Sequence, residues 1–298
     1  MTTSGESGAP GAVLLAANRV SRSFGAFVAV DDVTMQVGPG EVVGLLGANG
    51  AGKTTLIRML LGLLATTAGD VELLGGPPDR QLRRRLGYVP QGLGLYRDLT
   101  VAENLAFTCQ AYGACPPELP ESLRPMLDRL VADLPLGLQR QLAFLAALAH
   151  EPHVLVLDEP TSGVDALARA ALWDTIHEQA EKGVGILVTT HNMAEAEQCD
   201  RLLLMSAACL VAQGSEADII GSTTAIAITT DDWAQAFAAL NEAGQPVMLA
   251  GRDVRVADAD AEQVRTVLAA AGISAHVTGV AATIEERMMV LAQGRQGH

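Results

Sequence analysis

The chain has 298 residues, 49% of them hydrophobic and 18% charged, which is the composition of a globular protein with a sizeable buried core. Its formal charge of −14 argues against broad binding along a nucleic-acid backbone, which needs accumulated Lys and Arg, and its four cysteines, Cys109, Cys115, Cys199 and Cys209, lack the C-x-x-C spacing of a zinc site or disulfide framework. No apolar run reaches the roughly 20 residues that a membrane-spanning helix requires.

Met1 to Gly11 is rich in Ser, Gly and Pro and has no basic cluster ahead of an apolar core, so residues 1–12 read as a flexible N-terminal tail. From Val13 to Gly221 short Val/Leu/Ile runs alternate with amphipathic stretches, the pattern of a largely parallel sheet covered on both faces. Glu41–Leu46 is predicted as a buried strand. It leads into Gly47-Ala48-Asn49-Gly50-Ala51-Gly52-Lys53-Thr54, a match to G-x-x-x-x-G-K-[ST] that opens a predicted helix over Thr54–Leu64. Such a loop turns its backbone N–H groups inward around phosphate oxygens, and the helix start adds positive potential. Asn49, Gly50, Ala51, Gly52, Lys53, Thr54 and Thr55 are therefore the candidate nucleotide-binding residues, with Lys53 as the charge for the terminal phosphates and the Thr54 hydroxyl as a ligand for Mg²⁺. Lys occurs only twice in the chain, which makes a chance match remote.

Thr100–Leu134 is predicted as an inserted helical subdomain broken at Pro116-Pro117 and Pro120, and Leu142–Ala149 is the most apolar helix candidate. His153–Leu157 is a second buried strand, and it ends in Asp158-Glu159. Adjacent strand residues point to opposite faces, so the two acids have separate tasks: Asp158 for Mg²⁺, and Glu159 to orient and polarise the water that attacks a γ-phosphate. Alone, such a pair is more often a helix cap or a solvated turn; the phosphate loop upstream decides for function. His150 and His153 form an H-x-x-H spacing but read as boundary residues beside Pro152 rather than as metal ligands. Beyond Gly221, strands are predicted at Thr224–Thr229, Pro246–Ala250, Val254–Val256 and Ala275–Thr278, with helices at Trp233–Asn241 and Glu262–Ala271 between them. Residues 222–298 are thus expected to form a small α/β accessory domain after a main domain of residues 13–221.

Over Leu14 to Ile220 the chain resembles the nucleotide-binding domain of ABC transporters. The run Asp158-Glu159-Pro160-Thr161-Ser162-Gly163-Val164-Asp165 is similar to that family's Walker B segment continuing into the D-loop residues Ser162 and Asp165. Tyr88-Val89-Pro90-Gln91 resembles the Q-loop. Val188-Thr189-Thr190-His191 with Met193-Ala194-Glu195-Ala196-Glu197 resembles the H-loop. The resemblance implies a P-loop NTPase of ABC type: a RecA-like core sheet, an antiparallel β subdomain and a short helical subdomain, using ATP and Mg²⁺. It implies that Gln91 ligands Mg²⁺ and senses a membrane subunit, that His191 contacts the γ-phosphate, and that Phe24 stacks on adenine, although a core Phe is the competing reading of that residue. It also implies a separate multi-span permease, a second ABC ATPase domain facing the first as a homo- or heterodimer, and a cytoplasmic place on the inner face of the membrane.

The chain departs from that family where the signature Leu-Ser-Gly-Gly-Gln is usual. Here stands Leu134-Pro135-Leu136-Gly137-Leu138, followed by Gln139, a run that resembles the Leu-Pro-Leu-Gly variant of ABC-2 and multidrug-type exporter ATPases. Leu136, Gly137 and Gln139 are the candidates to face a partner's ATP, and loss of the Ser hydroxyl implies slow or partner-dependent hydrolysis. The stretch from Gln91 to Gly137 is short for the family, and Ala282–Met288 either resembles the closing Thr-Leu-Glu-Asp run of exporter ATPases or is an amphipathic final helix. A soluble ABC ATPase without a permease and a low-turnover regulatory partner are the alternative readings.

Overall fold

The computed structural model describes residues 12–296, so the expected tail lies outside the described residues apart from Ala12. The chain divides into two compact units, Met1–Leu210 and Val211–His298. In the first unit, β1 (Leu15–Phe24), β2 (Phe27–Val37) and β4 (Ala68–Leu73) make an antiparallel sheet in the order β2-β1-β4. A second sheet has the order β5 (Leu86–Val89), β6 (Val154–Asp158), β7 (Gly185–Thr190), β3 (Val42–Gly47), β8 (Arg201–Ser206) and β9 (Cys209–Gly214), with parallel pairing from β5 to β8.

Strand β6 shows why this sheet needs cover on both sides: Val154 and Val156 join one apolar core with Leu56, Ile57 and Leu60 of helix α1 (Lys53–Leu60), while Leu155 and Leu157 join another. That second core holds Phe144 of α3 (Leu136–Leu148) and Leu172, Trp173 and Ile176 of α4 (Ala166–Glu181). Helix α1 stops at Leu60, short of the expected Leu64, because Gly62 turns left-handed at φ 64°.

The run Thr100–Leu134 is not helical throughout. Helix α2 (Val101–Tyr112) starts on a capping box between Thr100 and Glu103 and ends at Gly113, φ 70°, whose N–H bonds the Cys109 carbonyl. Pro116, Pro117 and Pro120 then have no N–H to continue a helix, and only two short 3₁₀ turns follow, Arg124–Met126 and Val131–Asp133. Leu123, Val131 and Leu134 nonetheless pack with Val101, Leu105 and Leu142 as a small core. The strands expected at 41–46 and 153–157 each sit one residue later, where their ladders begin.

The second unit runs β10 (Thr224–Thr229), α7 (Trp233–Glu242), β11 (Val247–Ala250), β12 (Asp253–Ala257), α8 (Ala261–Ala270) and β13 (His276–Ala281). Its antiparallel order β11-β12-β10-β13 is the ferredoxin-like split β-α-β arrangement. Ile226, Ile228, Val254 and Val256 face Ala236, Leu240, Val264 and Leu268 of the two helices. The division at Leu210 falls before the boundary expected near residue 221 because α6 (Glu216–Ile220) packs on α9 (Ile284–Gln296), and so belongs with the C-terminal unit. Among the described residues, no helix is long and apolar enough to cross a membrane.

Candidate nucleotide site

Parallel register sets the carboxyl ends of β3, β5, β6 and β7 level, pairing Leu46 with Thr190, Asp158 with Thr189 and Val89 with Leu157. The segments that follow, carrying Gly47–Thr54, Gln91, Glu159 and His191, therefore meet at one edge of the sheet, where open α/β folds place their ligands. The loop requires its glycines. Gly47 and Gly52 stand at φ 155° and 103°, and a Cβ would collide with the Met205 carbonyl at the first and the Ala29 carbonyl at the second. Lys53 is buried and its ammonium donates to the Gly47 carbonyl at 2.6 Å and the Ala48 carbonyl at 3.1 Å, closing the loop on itself. Burial holds Lys53 below its ordinary 10.5, against the opposing pull of Glu159 and Asp158. Asn49 and Gly50 are exposed at the tip, with Ala51 buried beneath and Thr55 half-buried in the first turn of α1.

The two acids have separate partners. Asp158, buried on the α1 side, accepts from the Thr54 hydroxyl at 3.4 Å and from the Thr189 hydroxyl at 2.8 Å. Glu159 accepts from the Gln91 side-chain amide at 3.1 Å and lies 3.5 Å from His191 Nδ1. Its backbone takes the left-handed conformation at φ 50°, uncommon for a residue with a side chain, and its N–H bonds Thr189 Oγ1 at 2.8 Å. Thr189 thus fixes both acids at once: its oxygen accepts from Glu159 and its proton goes to Asp158. Thr54 and Asp158 supply a hydroxyl and a carboxylate oxygen side by side, a donor pair that suits a hard cation. Gln91 is placed with Glu159 instead.

Comparison with known proteins shows the family. A family model described as "ABC transporter" matches residues 30–162, and a second, for an AAA domain, matches residues 128–197. The "Probable multidrug ABC transporter ATP-binding protein YbhF" of Escherichia coli (strain K12) is 41% identical over 224 residues, 71% of this chain and 39% of that protein. The "Nod factor export ATP-binding protein I" of Paraburkholderia xenovorans (strain LB400) is 39% identical over 218 residues, covering 69% of this chain and 72% of that one. The chain belongs to the ABC transporter ATP-binding family. A solved structure titled "Structure of ATP binding subunit of ABC transporter" superposes with a TM-score of 0.62 at 33% identity, covering 69% of this chain and 91% of the other. The present chain spans about two fifths of the length of the Escherichia coli relative.

Within this ABC cassette, Phe24 is 48% exposed with the Arg22 guanidinium 4.5 Å above its ring, which removes the reading of a core Phe. Leu136 and Gly137 open α3, after Pro135, and a Cβ at Gly163 of the D-loop would lie 2.9 Å from Leu136. The signature helix start therefore abuts the D-loop. Gln139 is buried and its amide donates to the Leu134 carbonyl at 2.7 Å. Asp165 caps α4 by accepting from the Ala168 N–H, and the Ser162 N–H bonds the Glu159 carbonyl at 3.3 Å.

Three residues that the motifs do not single out complete the site. Thr189 is one. Glu195, buried in α5 (Met193–Ala196), accepts from the hydroxyls of Thr161 at 2.6 Å and Thr190 at 2.7 Å and pairs with Arg169 at 3.4 Å, joining the D-loop entry to the residue before His191. Arg140 is the third: buried in α3, it donates to the backbone carbonyls of Gln91 and Ser162, each at 3.3 Å. The first and second lie inside the quoted H-loop run, and the third is an arginine on the apolar signature helix. His150 and His153 do not converge: His150 donates to the Leu86 carbonyl and stacks on Tyr112, and His153 accepts from Arg85.

Proposed function

We propose that this chain is the ATP-binding and ATP-hydrolysing subunit of an ABC exporter, powering a separate multi-span permease by ATP-driven pairing of two such cassettes. The observation that carries this reading is the convergence of Lys53, the Thr54–Asp158 pair and the Gln91–Glu159–His191 cluster on a single phosphate loop. The loop N–H groups and Lys53 bind the phosphates, and Phe24 offers an exposed π face to the base. Thr54 and Asp158 would hold Mg²⁺, which supplies charge neutralisation at the phosphates, while Gln91 holds Glu159. Glu159 orients and polarises the attacking water, and His191 beside it contacts the γ-phosphate side.

The start of α3, with Leu136 and Gly137, faces the nucleotide of a second cassette, as does the D-loop. Pro135 brings neither a hydroxyl nor an N–H to that contact, so hydrolysis by a homodimer is slow and a second, different cassette raises it. Phe107 and Tyr112 of α2, with Tyr96 packed edge-on against Phe107 from the preceding loop, are each more than a third exposed in a chain that is only 3% aromatic, and they form the docking surface for the permease at the cytoplasmic face of the membrane.

The deciding experiment is Mg²⁺-ATP turnover of the purified chain beside Glu159→Gln, with the dimer fraction of each measured in ATP. The expected result is a fall of about 10²-fold or more in the variant, with an ATP-stabilised dimer. Equal turnover in the two proteins would overturn the assignment of Glu159, and failure to bind ATP would overturn the reading as a whole.

A further inference from the structure

Arg140 is the best-placed side chain that the proposed mechanism leaves unused. Arg140 is 5% exposed, and its two terminal nitrogens reach two different loops: Nη1 donates to the Gln91 carbonyl and Nη2 to the Ser162 carbonyl. Neither carbonyl belongs to its own helix. Each is one step from Glu159, since the Gln91 side chain donates to the Glu159 carboxylate and the Ser162 N–H bonds the Glu159 carbonyl. Burial lowers the affinity of Arg140 for its proton, and the Glu159 charge works the other way, so the acid helps to keep a cation in this dry position. Its Nε is buried with no partner among the described residues.

A buried arginine with an unsatisfied nitrogen is costly to keep for packing alone, because an apolar side chain of similar volume fills such a space without desolvating a charge. What an apolar residue cannot do is hold two carbonyls from separate loops in one plane. Lysine, a single point charge on a flexible stem, cannot reproduce that fork either. The helix that carries Arg140 begins at Leu136 and Gly137, and its start already touches Gly163 of the D-loop.

We infer that Arg140 is a positioning residue that locks the Gln91 loop and the D-loop to the signature helix, and so sets the Gln91–Glu159 contact from the helix that faces the second cassette. This rests on the reading of Glu159 and of the helix start given above. A movement of α3 on engaging the second nucleotide would pull both carbonyls together, so the site within one cassette registers the state of the other.

The test measures ATP turnover against ATP concentration, nucleotide affinity by a fluorescent ATP analogue, and thermal midpoint, for the full chain and for Arg140→Met, Arg140→Lys and Glu159→Gln. Arg140→Met is expected to lower kcat roughly 10- to 100-fold, the scale of a small misplacement of catalytic groups, while analogue affinity and KM stay within about twofold of the parent. Arg140→Lys is expected to fall between the two. In a Gln91→Ala background the further loss from Arg140→Met should be less than multiplicative, because both changes act on one contact. Parent-like kcat in both Arg140 variants beside an inactive Glu159→Gln would overturn the inference while leaving the proposed function standing. A fall in affinity and thermal midpoint that matches the fall in kcat would also overturn it, as a purely structural role. Where Arg140→Met does not fold, Arg140→Lys decides: reduced kcat at parent affinity supports the lock, and parent kcat refutes it. Full activity of Glu159→Gln would instead remove the reading on which the inference stands.

Discussion

Each of the two units buries a glutamate beside an arginine, and the two pairs do different work. In the cassette, Glu195 collects the hydroxyls of Thr161 and Thr190, which flank the candidate nucleotide site, and the charge of Arg169 on α4. In the C-terminal unit, Glu286 is fully buried and takes two bonds from Arg255, at 2.6 and 3.0 Å, and one from the Thr283 N–H, while the Thr283 hydroxyl accepts from the Glu286 N–H. That is a capping box whose acid also grips a strand, fastening α9 to β12. Burial pushes the Glu286 carboxyl up, but Arg255 and Thr283 together bring it below the usual 4.5. One glutamate steadies loops at the candidate nucleotide site; the other clips a helix to a sheet. Buried ion pairs thus mark function only when their other partners lead to a site.

On the proposed function, Lys53→Met should abolish ATP turnover and weaken nucleotide binding by about 10²-fold or more, since it removes the full charge proposed to face the terminal phosphates. Yet its thermal midpoint should change little, because removal of a buried ammonium offsets the loss of its bonds to the Gly47 and Ala48 carbonyls. Calorimetry beside an equilibrium binding titration checks both halves, and a lower midpoint would show that Lys53 serves the fold.

Next in size is Glu286→Ala, which leaves Arg255 mostly buried without its acid and is expected to cost about 3 kcal/mol or more in the unfolding of the C-terminal unit. Denaturant unfolding and limited proteolysis after residue 211 read the loss. Turnover of the cassette should stay near that of the parent. Glu195→Gln should show the reverse balance: about 1–3 kcal/mol of stability, because the amide must turn its NH₂ toward one of two hydroxyl donors, with a fall in turnover larger than that stability loss explains. Comparing kcat at a temperature where both proteins are folded separates the two effects.

Legibility in the sequence follows the same division. The phosphate loop and the Asp158-Glu159 pair were readable because their chemistry lies within consecutive residues, but with β6 ending at Asp158 and Glu159 left-handed at φ 50°, strand alternation does not account for their separate partners. The strands and helices of residues 222–298 were readable from alternation alone, although nothing in that pattern announced that Glu286 and Arg255 would meet. The roles of Thr189, Glu195 and Arg140 were hidden, since each acts on partners far along the chain that only the parallel register or the packing of α3 brings close. The helical reading of Thr100–Leu134 failed beyond Tyr112 because its apolar residues satisfy a small core without helical spacing, while Gly113 and the prolines stop the ladder.

The smallest expected effect belongs to a histidine that the nucleotide site does not use. His150 donates to the Leu86 carbonyl at 3.1 Å, stacks on Tyr112 at 3.9 Å, and shares its cavity with Tyr88 and Arg83; its Nδ1 is buried with no partner among the described residues. Burial holds it below the ordinary 6.5, with the Leu86 bond opposing. Above 6.5 the residue is neutral in both the folded and the unfolded chain and adds no pH dependence. Below 6.5 the unfolded chain takes the proton first, so acidification favours unfolding until the folded form is also protonated. His150→Phe keeps an aromatic ring for the stack but orphans the Leu86 carbonyl, at about 1 kcal/mol. That offset is the same at every pH, so the variant should start less stable and lose less on going from about pH 7.5 to about pH 5.5. Urea unfolding at the two pH values measures the difference, and an equal or steeper loss in the variant would assign the acid sensitivity to other groups.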